Sequence, residues 1–239
     1  MILKTNLHFH TNDDPQHIID YDTYVGIEKA SELGFEVLAL TCHDRVVFNK
    51  EYEEYADSKG VLLIPGIELY VGEEIKEGRH LLVLNCDKSA EEIDTLKDLE
   101  RYKKENPDIF VIAPHPFFPT FTKKQSLMEY TERNSHLFDA IEHSWFYSNL
   151  IDKNIPAREL AKKKALPLIA TSDTHFLDFM DTDYCLIETE EKTKKAIFRS
   201  LKKGTFRNVT RPKKLLTELI PVYGSFCLKN AFNSFYRNR

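Results

Sequence analysis

The stretch EVLALTCHDRVVFNKEYEEYADSKGVLLIPGIE, residues 36–68, holds two unbroken apolar runs, Val37-Leu38-Ala39-Leu40 and Val61-Leu62-Leu63-Ile64, with one helix-length segment, Lys50–Lys59, between them. A strand with one wet face alternates polar and apolar residues, whereas a strand buried on both faces reads as a continuous apolar run. The stretch therefore predicts parallel strands of one sheet covered by helices. Gly60 follows the helical segment as a C-cap, as Gly34 and Gly204 follow theirs. Outward from here the same reading predicts strands over Ile2–Phe9, Glu36–Thr41, Val61–Ile67, His80–Asn85, Ile109–Ala113, Ala140–His143 and Leu166–Thr171. Helices are expected over Asp22–Leu33, Lys50–Lys59, Ala90–Glu105, Ser126–Asn134, Ile155–Lys164 and Glu191–Lys203. A strand–helix unit of about 30 residues, repeated along the chain, describes a β/α barrel, and an open doubly wound sheet shows the same alternation.

Composition narrows the class. Of 239 residues, 42% are hydrophobic and 30% charged, enough for one sizeable core and too apolar for a disordered chain. A net charge of −5 speaks against global attraction to nucleic acid or an anionic membrane. No apolar run reaches the roughly 18–20 residues of a membrane helix, and Met1–Leu7 is too short and polar for a secretory signal. Cys42, Cys86, Cys185 and Cys227 form no CxxC pair, which disfavours finger-type zinc and makes a reduced, cytoplasmic setting the expectation. From Lys192 to Lys214 the chain is basic without an acidic residue, read as solvated helix charge or as attraction for a polyanion. Residues 1–218 are expected as the barrel, and 219–239 as a helix packing on it.

The chemistry-bearing residues gather where apolar runs stop. The first strand ends His8-Phe9-His10, whose alternation turns both imidazoles to one side. The second ends Thr41-Cys42-His43-Asp44, the third runs into Gly66-Ile67-Glu68, the fifth into Ala113-Pro114-His115-Pro116, and the seventh into Ser172-Asp173-Thr174-His175. His80 is the exception, at the start of a strand. A lone histidine at a strand end is an ordinary polar residue. Five strand ends converging on one barrel mouth would set charges against each other without partners, a cost that bound cations offset. Imidazole and carboxylate without thiolate suit Zn, Mn or Fe.

These motifs, in this order, resemble those of the PHP (polymerase and histidinol phosphatase) superfamily, from Leu7 to His175. The resemblance implies an α/β fold, a distorted (β/α)7 TIM-like barrel of the PHP type, holding two or three divalent metal ions (Mn, Fe or Zn). It implies His8, His10 and Asp173 at a first metal, Glu68 bridging first and second, His80 and His115 at the second, and His43 and His175 at the third. The acidic or histidine ligand that family members carry after the HxH pair is ambiguous here: Asp13, Asp14, His17 and Asp20 all stand nearby, and Asp14 is favoured.

The implied activity is hydrolysis of a phosphate ester, with no catalytic residue separate from the metal ligands, since a metal-activated water needs no protein nucleophile. The substrate would be a small phosphomonoester, or a nucleotide or oligonucleotide phosphodiester. No membrane or obligate protein partner is expected. Arg45 is a candidate phosphate clamp beside a bland reading as a solvated loop residue. Phe117-Phe118 and Trp145-Phe146-Tyr147 are candidates for a base-stacking wall or for rim packing. Glu142 and His143 lie near the mouth by position, with Glu142 or His143 a candidate support for a ligand. The alternatives are a silent scaffold of the same fold and an amidohydrolase cleaving C–N bonds.

Overall fold

A computed structural model describes residues 1–71, 79–116, 131–152 and 154–225. Among the described residues, nine strands form one mixed sheet: β1 (Ile2–Phe9), β2 (Val37–Leu40), β3 (Leu62–Val71), β4 (Arg79–Leu84), β5 (Phe110–Ala113), β6 (Ala140–His143), β7 (Leu168–Ala170), β8 (Asp183–Glu188) and β9 (Phe206–Thr210). Their order is β7-β6-β5-β4-β3-β2-β1-β8-β9. Beyond β7, Thr174 pairs with Phe9 as an isolated parallel bridge, so the first seven strands come round on themselves at one end. The result is a nearly closed α/β barrel.

The expected all-parallel sheet is corrected to a mixed one. β4 runs antiparallel to both β3 and β5, and β8 is antiparallel to β1. The antiparallel turn of β4 accounts for the exceptional position of His80. It stands opposite Tyr70 near the end of β3, so the start of β4 lies at the same mouth as the ends of its parallel neighbours. β8 and β9 are further strands beyond the seven expected, an antiparallel pair joined through a helix over Lys194–Lys203.

Three helices begin at a side chain that accepts a backbone N–H the helix cannot use: Asp22 for α1 (Thr23–Glu32), Asn49 for α2 (Lys50–Ser58), and Thr193 for α5 (Lys194–Lys203). The expected single helix over Ala90–Glu105 is instead a 3-10 turn, Lys88–Glu92, followed by α3 (Leu96–Glu105). Thr95 and Asp98 close a reciprocal capping box there and start the helix afresh. The fourth helix, α4, spans Asn154–Lys164. Gly204 ends α5 at φ 74°, and Gly34 and Gly60 adopt the same left-handed turn. The segment expected at Ser126–Asn134 lies mostly outside the described residues, as do Phe117, Phe118, Cys227 and 226–239.

Three apolar layers hold the barrel. The interior carries Val37, Ala39, Ile64, Leu82, Leu84, Ile112 and Ile169 from successive strands. One outer layer packs α1 and α2 on β1–β3, and another packs α3 and α4 on β3–β6. Ile197, Phe198 and Leu201 of α5 join the interior layer, with Phe198 stacked on Phe110 at 4.9 Å, so α5 plugs the barrel floor. The basic residues of α5 therefore lie at the end opposite the histidine motifs. Arg199 and Lys203 line a surface cleft of about 460 Å³ there, with Met1 and Glu188.

β1 changes phase along its length. Leu3 and Leu7 belong to the interior layer, and strict alternation would put Phe9 with them. Phe9 instead packs in the outer layer with Ile27 of α1. The register slips between Asn6 and Phe9, and that irregularity turns His8 and His10 together into the barrel. Gly26 of α1 lets Phe9 take this place: a Cβ there would meet the Phe9 ring at 2.2 Å.

Candidate metal centre

Glu68 is the hub of the mouth. It is 1% exposed, on the inner face of β3. Its Oε2 lies 3.1 Å from His8 Nε2, 3.2 Å from His10 Nε2 and 3.0 Å from His43 Nε2. Its Oε1 lies 2.8 Å from His80 Nδ1 and 3.0 Å from His115 Nε2. Asp173 Oδ1 adds a second focus, 3.3 Å from each of His8 Nε2, His10 Nε2 and His175 Nδ1. The three strand ends at Asp44, His115 and Asp173 carry positive φ angles of 46°, 24° and 42°, a costly backbone that places these residues at the rim.

Outer carboxylates set the imidazoles' orientation. Glu142, fully buried, receives His8 Nδ1 at 2.8 Å, the His115 backbone N–H at 2.6 Å and the Thr171 hydroxyl. Asp14 Oδ2 lies 2.8 Å from His10 Nδ1 and 2.7 Å from His43 Nδ1, and accepts the His43 backbone N–H at 3.0 Å. Its Oδ1 accepts the N–H groups of Gln16 and His17. With Nδ1–H engaged by an outer carboxylate, each of these histidines turns Nε2 inward, an arrangement common behind metal-bound imidazoles.

The electrostatics follow from so many groups in so little water. Burial alone would push the Glu68 carboxyl up, but His80, His43 and His8 outweigh it and hold it well below the carboxylate range. Burial likewise disfavours charge on His8 and His43, yet Asp173, Glu68 and Glu142 raise the first to about 10, and Glu68 and Asp14 raise the second to about 9. His17 goes the other way, pushed down to about 3 by burial and by His175, His43 and His10. Burial and neighbouring imidazoles likewise lower His80 and His175.

The geometry fits cations better than protons. Four groups offer ligand atoms within 4.8 Å of one another: His8, His10, Glu68 and Asp173; His43, Glu68 and His80; His10, His43 and His175; and Asp14, His17 and His43. His10 Nε2 and Asp173 Oδ1 are buried and surrounded by opposite charge, yet no neighbour is aligned with either as a hydrogen bond. Lone pairs that converge on a common point, rather than on a donor, are what ligands to a shared ion present.

The structure thus brings together His8, His10, Asp14, His43, Glu68, His80, His115, Asp173 and His175, the set singled out in the sequence. Asp14 stands behind two histidines, while His17, an open alternative in the sequence, has its Nδ1 3.0 Å from His175 Nε2. Arg45 is exposed in the loop after His43. His143 points away from the cluster, against Tyr147. Trp145 and Tyr147 are buried, at 4% and 9% exposure, so they pack the rim and offer no open stacking face. Asn6 and Thr171 around the cluster carried no sequence signal, since hydroxyl and amide side chains occur throughout the chain.

A barrel with a histidine–carboxylate centre at its mouth is the architecture of metal-dependent hydrolase barrels. Residues 152–206 match the PHP_C family model, described as PHP-associated. That match covers less than a quarter of the chain, and the fold as a whole is similar to solved PHP-like structures. A similar solved structure is a two-domain protein from Bacteroides vulgatus containing a predicted PHP-like metal-dependent phosphoesterase: 20% identity, TM-score 0.67, covering 88% of this chain and 65% of that one. The chain thus spans just under two thirds of that relative. PsfC from Pseudomonas syringae matches at 15% identity and TM-score 0.57, over 94% of this chain and 97% of that one. The lesion-specific endonuclease Q of Pyrococcus furiosus matches at 15% identity and TM-score 0.57, over 87% of this chain and 58% of that one. A search of curated protein sequences returns no match. Among the described residues, no helix is long and apolar enough to cross a membrane.

Proposed function

We propose that the chain is a metal-dependent phosphoesterase, hydrolysing a small phosphomonoester or a nucleotide or oligonucleotide phosphodiester. The observation that carries this reading is Glu68, buried and set within 2.8–3.2 Å of five imidazole nitrogens. His8, His10, Glu68 and Asp173 would hold a first cation, and Glu68 with His80 and His115 a second. His43 and His175 would hold a third, with His17 beside them. Bound divalent cations would supply Lewis acidity toward a phosphoryl oxygen and lower the pKa of a water.

The chain's own groups do the rest. Glu142 and Asp14 hold the Nδ1 protons of His8, His10 and His43, so that their Nε2 lone pairs face inward. Glu68 and Asp173 supply the negative charge that makes the pocket a cation site rather than an anion site. Arg45, exposed beside His43, is the candidate to meet a phosphate oxygen from outside. Of the substrate classes, the likeness to an endonuclease supports keeping a diester in view, although the basic face of α5 lies at the opposite end of the barrel.

The test is elemental analysis of protein purified without added metal, with the same sample assayed on p-nitrophenyl phosphate and on its bis ester. Two or three equivalents of Mn, Fe or Zn with turnover of either ester is the expected result, lost in Glu68→Ala with the fold retained by circular dichroism. No bound metal, and no turnover after Mn(II) or Zn(II) is added, would sink the proposal in favour of a silent scaffold.

A further inference from the structure

We infer that Trp145 is a positioning residue for Asp173, held in place by the buried ammonium of Lys213; this rests on the metal-centre reading above. The Trp145 Nε1–H donates to Asp173 Oδ2 at 3.4 Å. The other oxygen, Oδ1, is the one that faces His8, His10 and His175. A carboxylate with one oxygen held by the protein presents the other as a single ligand atom of fixed direction. Asp173 sits at positive φ after a short strand, so its side chain needs such a hold from outside its own segment.

The indole is itself clamped. It packs against Phe179 at 5.3 Å and Phe146 at 5.6 Å between ring centroids. Lys213 Nζ lies 5.7 Å from the Trp145 ring and 5.6 Å from the Tyr147 ring, within cation–π range of both. Lys213 is 2% exposed, although it belongs to the basic run that composition reads as solvated surface. Its ammonium donates to Asp183 Oδ2 at 2.5 Å and to the Arg211 carbonyl at 2.7 Å, and its backbone N–H donates to the Tyr147 carbonyl at 2.8 Å.

A buried ion pair brings little net stability over an apolar pair of the same volume. What this one does bring is a fixed point under the loop that carries Trp145. Asp183, Lys213, Trp145 and Asp173 form one continuous path from the start of β8 to the candidate ligand. The two rings that cage Lys213 both come from the loop after β6, on either side of Phe146.

The chain has one tryptophan, so its fluorescence reports this contact directly. Wild type, Trp145→Phe and Lys213→Met are prepared metal-free and titrated with Mn(II) by calorimetry, with urea unfolding measured separately. Tryptophan emission of wild type and Lys213→Met is followed during the titration. The expected results are an emission change in wild type on Mn(II) binding and a red-shifted metal-free spectrum in Lys213→Met. Mn(II) affinity falls on the order of 10-fold in Lys213→Met and 10- to 100-fold in Trp145→Phe. If Trp145→Phe does not fold, Lys213→Met decides. Wild-type affinity in the folded variants, with wild type itself binding Mn(II), overturns this inference alone. A wild-type protein that takes up none of Mn(II), Fe(II) or Zn(II) overturns the metal-centre reading and this inference with it.

Discussion

Nδ1 of His8 lies 2.8 Å from Oε1 of Glu142, and that contact decides which nitrogen of His8 faces Glu68. Glu142 is the inward residue at the end of β6, and the next residue, His143, points the other way by strand alternation. Replacing Glu142 by Gln keeps the shape but offers an amide that competes for the same donors. Mn(II) affinity of Glu142→Gln is expected to fall on the order of 10- to 100-fold. Calorimetric titration of the metal-free variant measures it, and wild-type affinity would show that His8 needs no orienting carboxylate.

Asp14 and His17 are expected to separate in their effects. Asp14 already accepts five hydrogen bonds, two from imidazoles and three from backbone N–H groups. Asp14→Asn puts an amide where those donors converge, so stability should drop by about 1–3 kcal/mol in urea unfolding. His17→Gln should leave stability within about 1 kcal/mol and reduce bound metal by one equivalent in elemental analysis. The reverse pattern would make Asp14 the ligand.

Gly26 is where α1 meets the histidine strand. In Gly26→Ala the new Cβ meets the Phe9 ring at 2.2 Å, and Phe9 is fully buried between His8 and His10. Overpacking of this kind costs about 1–3 kcal/mol. A lower urea midpoint at unchanged denaturant slope, together with weaker metal binding, is the expected signature. An unchanged midpoint would mean that α1 shifts freely against β1.

His143 predicts an acid-sensitive step. Burial, with Arg158 nearby, lowers its pKa from 6.5 to about 4. The folded protein therefore binds fewer protons at this site than the unfolded chain between those values. The stability contribution is fully present above pH 6.5 and is lost as pH falls toward 4, by at most about 3 kcal/mol. Unfolding midpoints of metal-free wild type and His143→Phe at pH 7.5 and 5 should converge in acid. A constant gap between them would assign the acid sensitivity elsewhere.

The sequence by itself carried the α/β class and the candidate ligand positions, because both are written in local periodicity, while the choice of a barrel over an open sheet rested on the family resemblance. Unbroken apolar runs such as Val37–Leu40 and Val61–Ile64, bounded by turn signals and too short for a helix, read as strands buried on both faces. Polar residues such as His43, His115 and Asp173 stand where those runs end, and a barrel gathers strand ends at one mouth. Tertiary structure alone decided the direction of β4, which brings His80 to that mouth, because neither pairing partner nor strand sense is encoded in a single run. It also decided the register slip in β1 that turns His8 and His10 inward together, against the alternation that would have grouped Phe9 with Leu3 and Leu7. Burial decided the rest: Lys213 and Arg211 are two residues apart in one basic run, yet the first is enclosed under Trp145 and the second pairs with Glu218 at the surface. Which of two like charges loses its water depends on what packs over it, and that is settled only when distant segments meet.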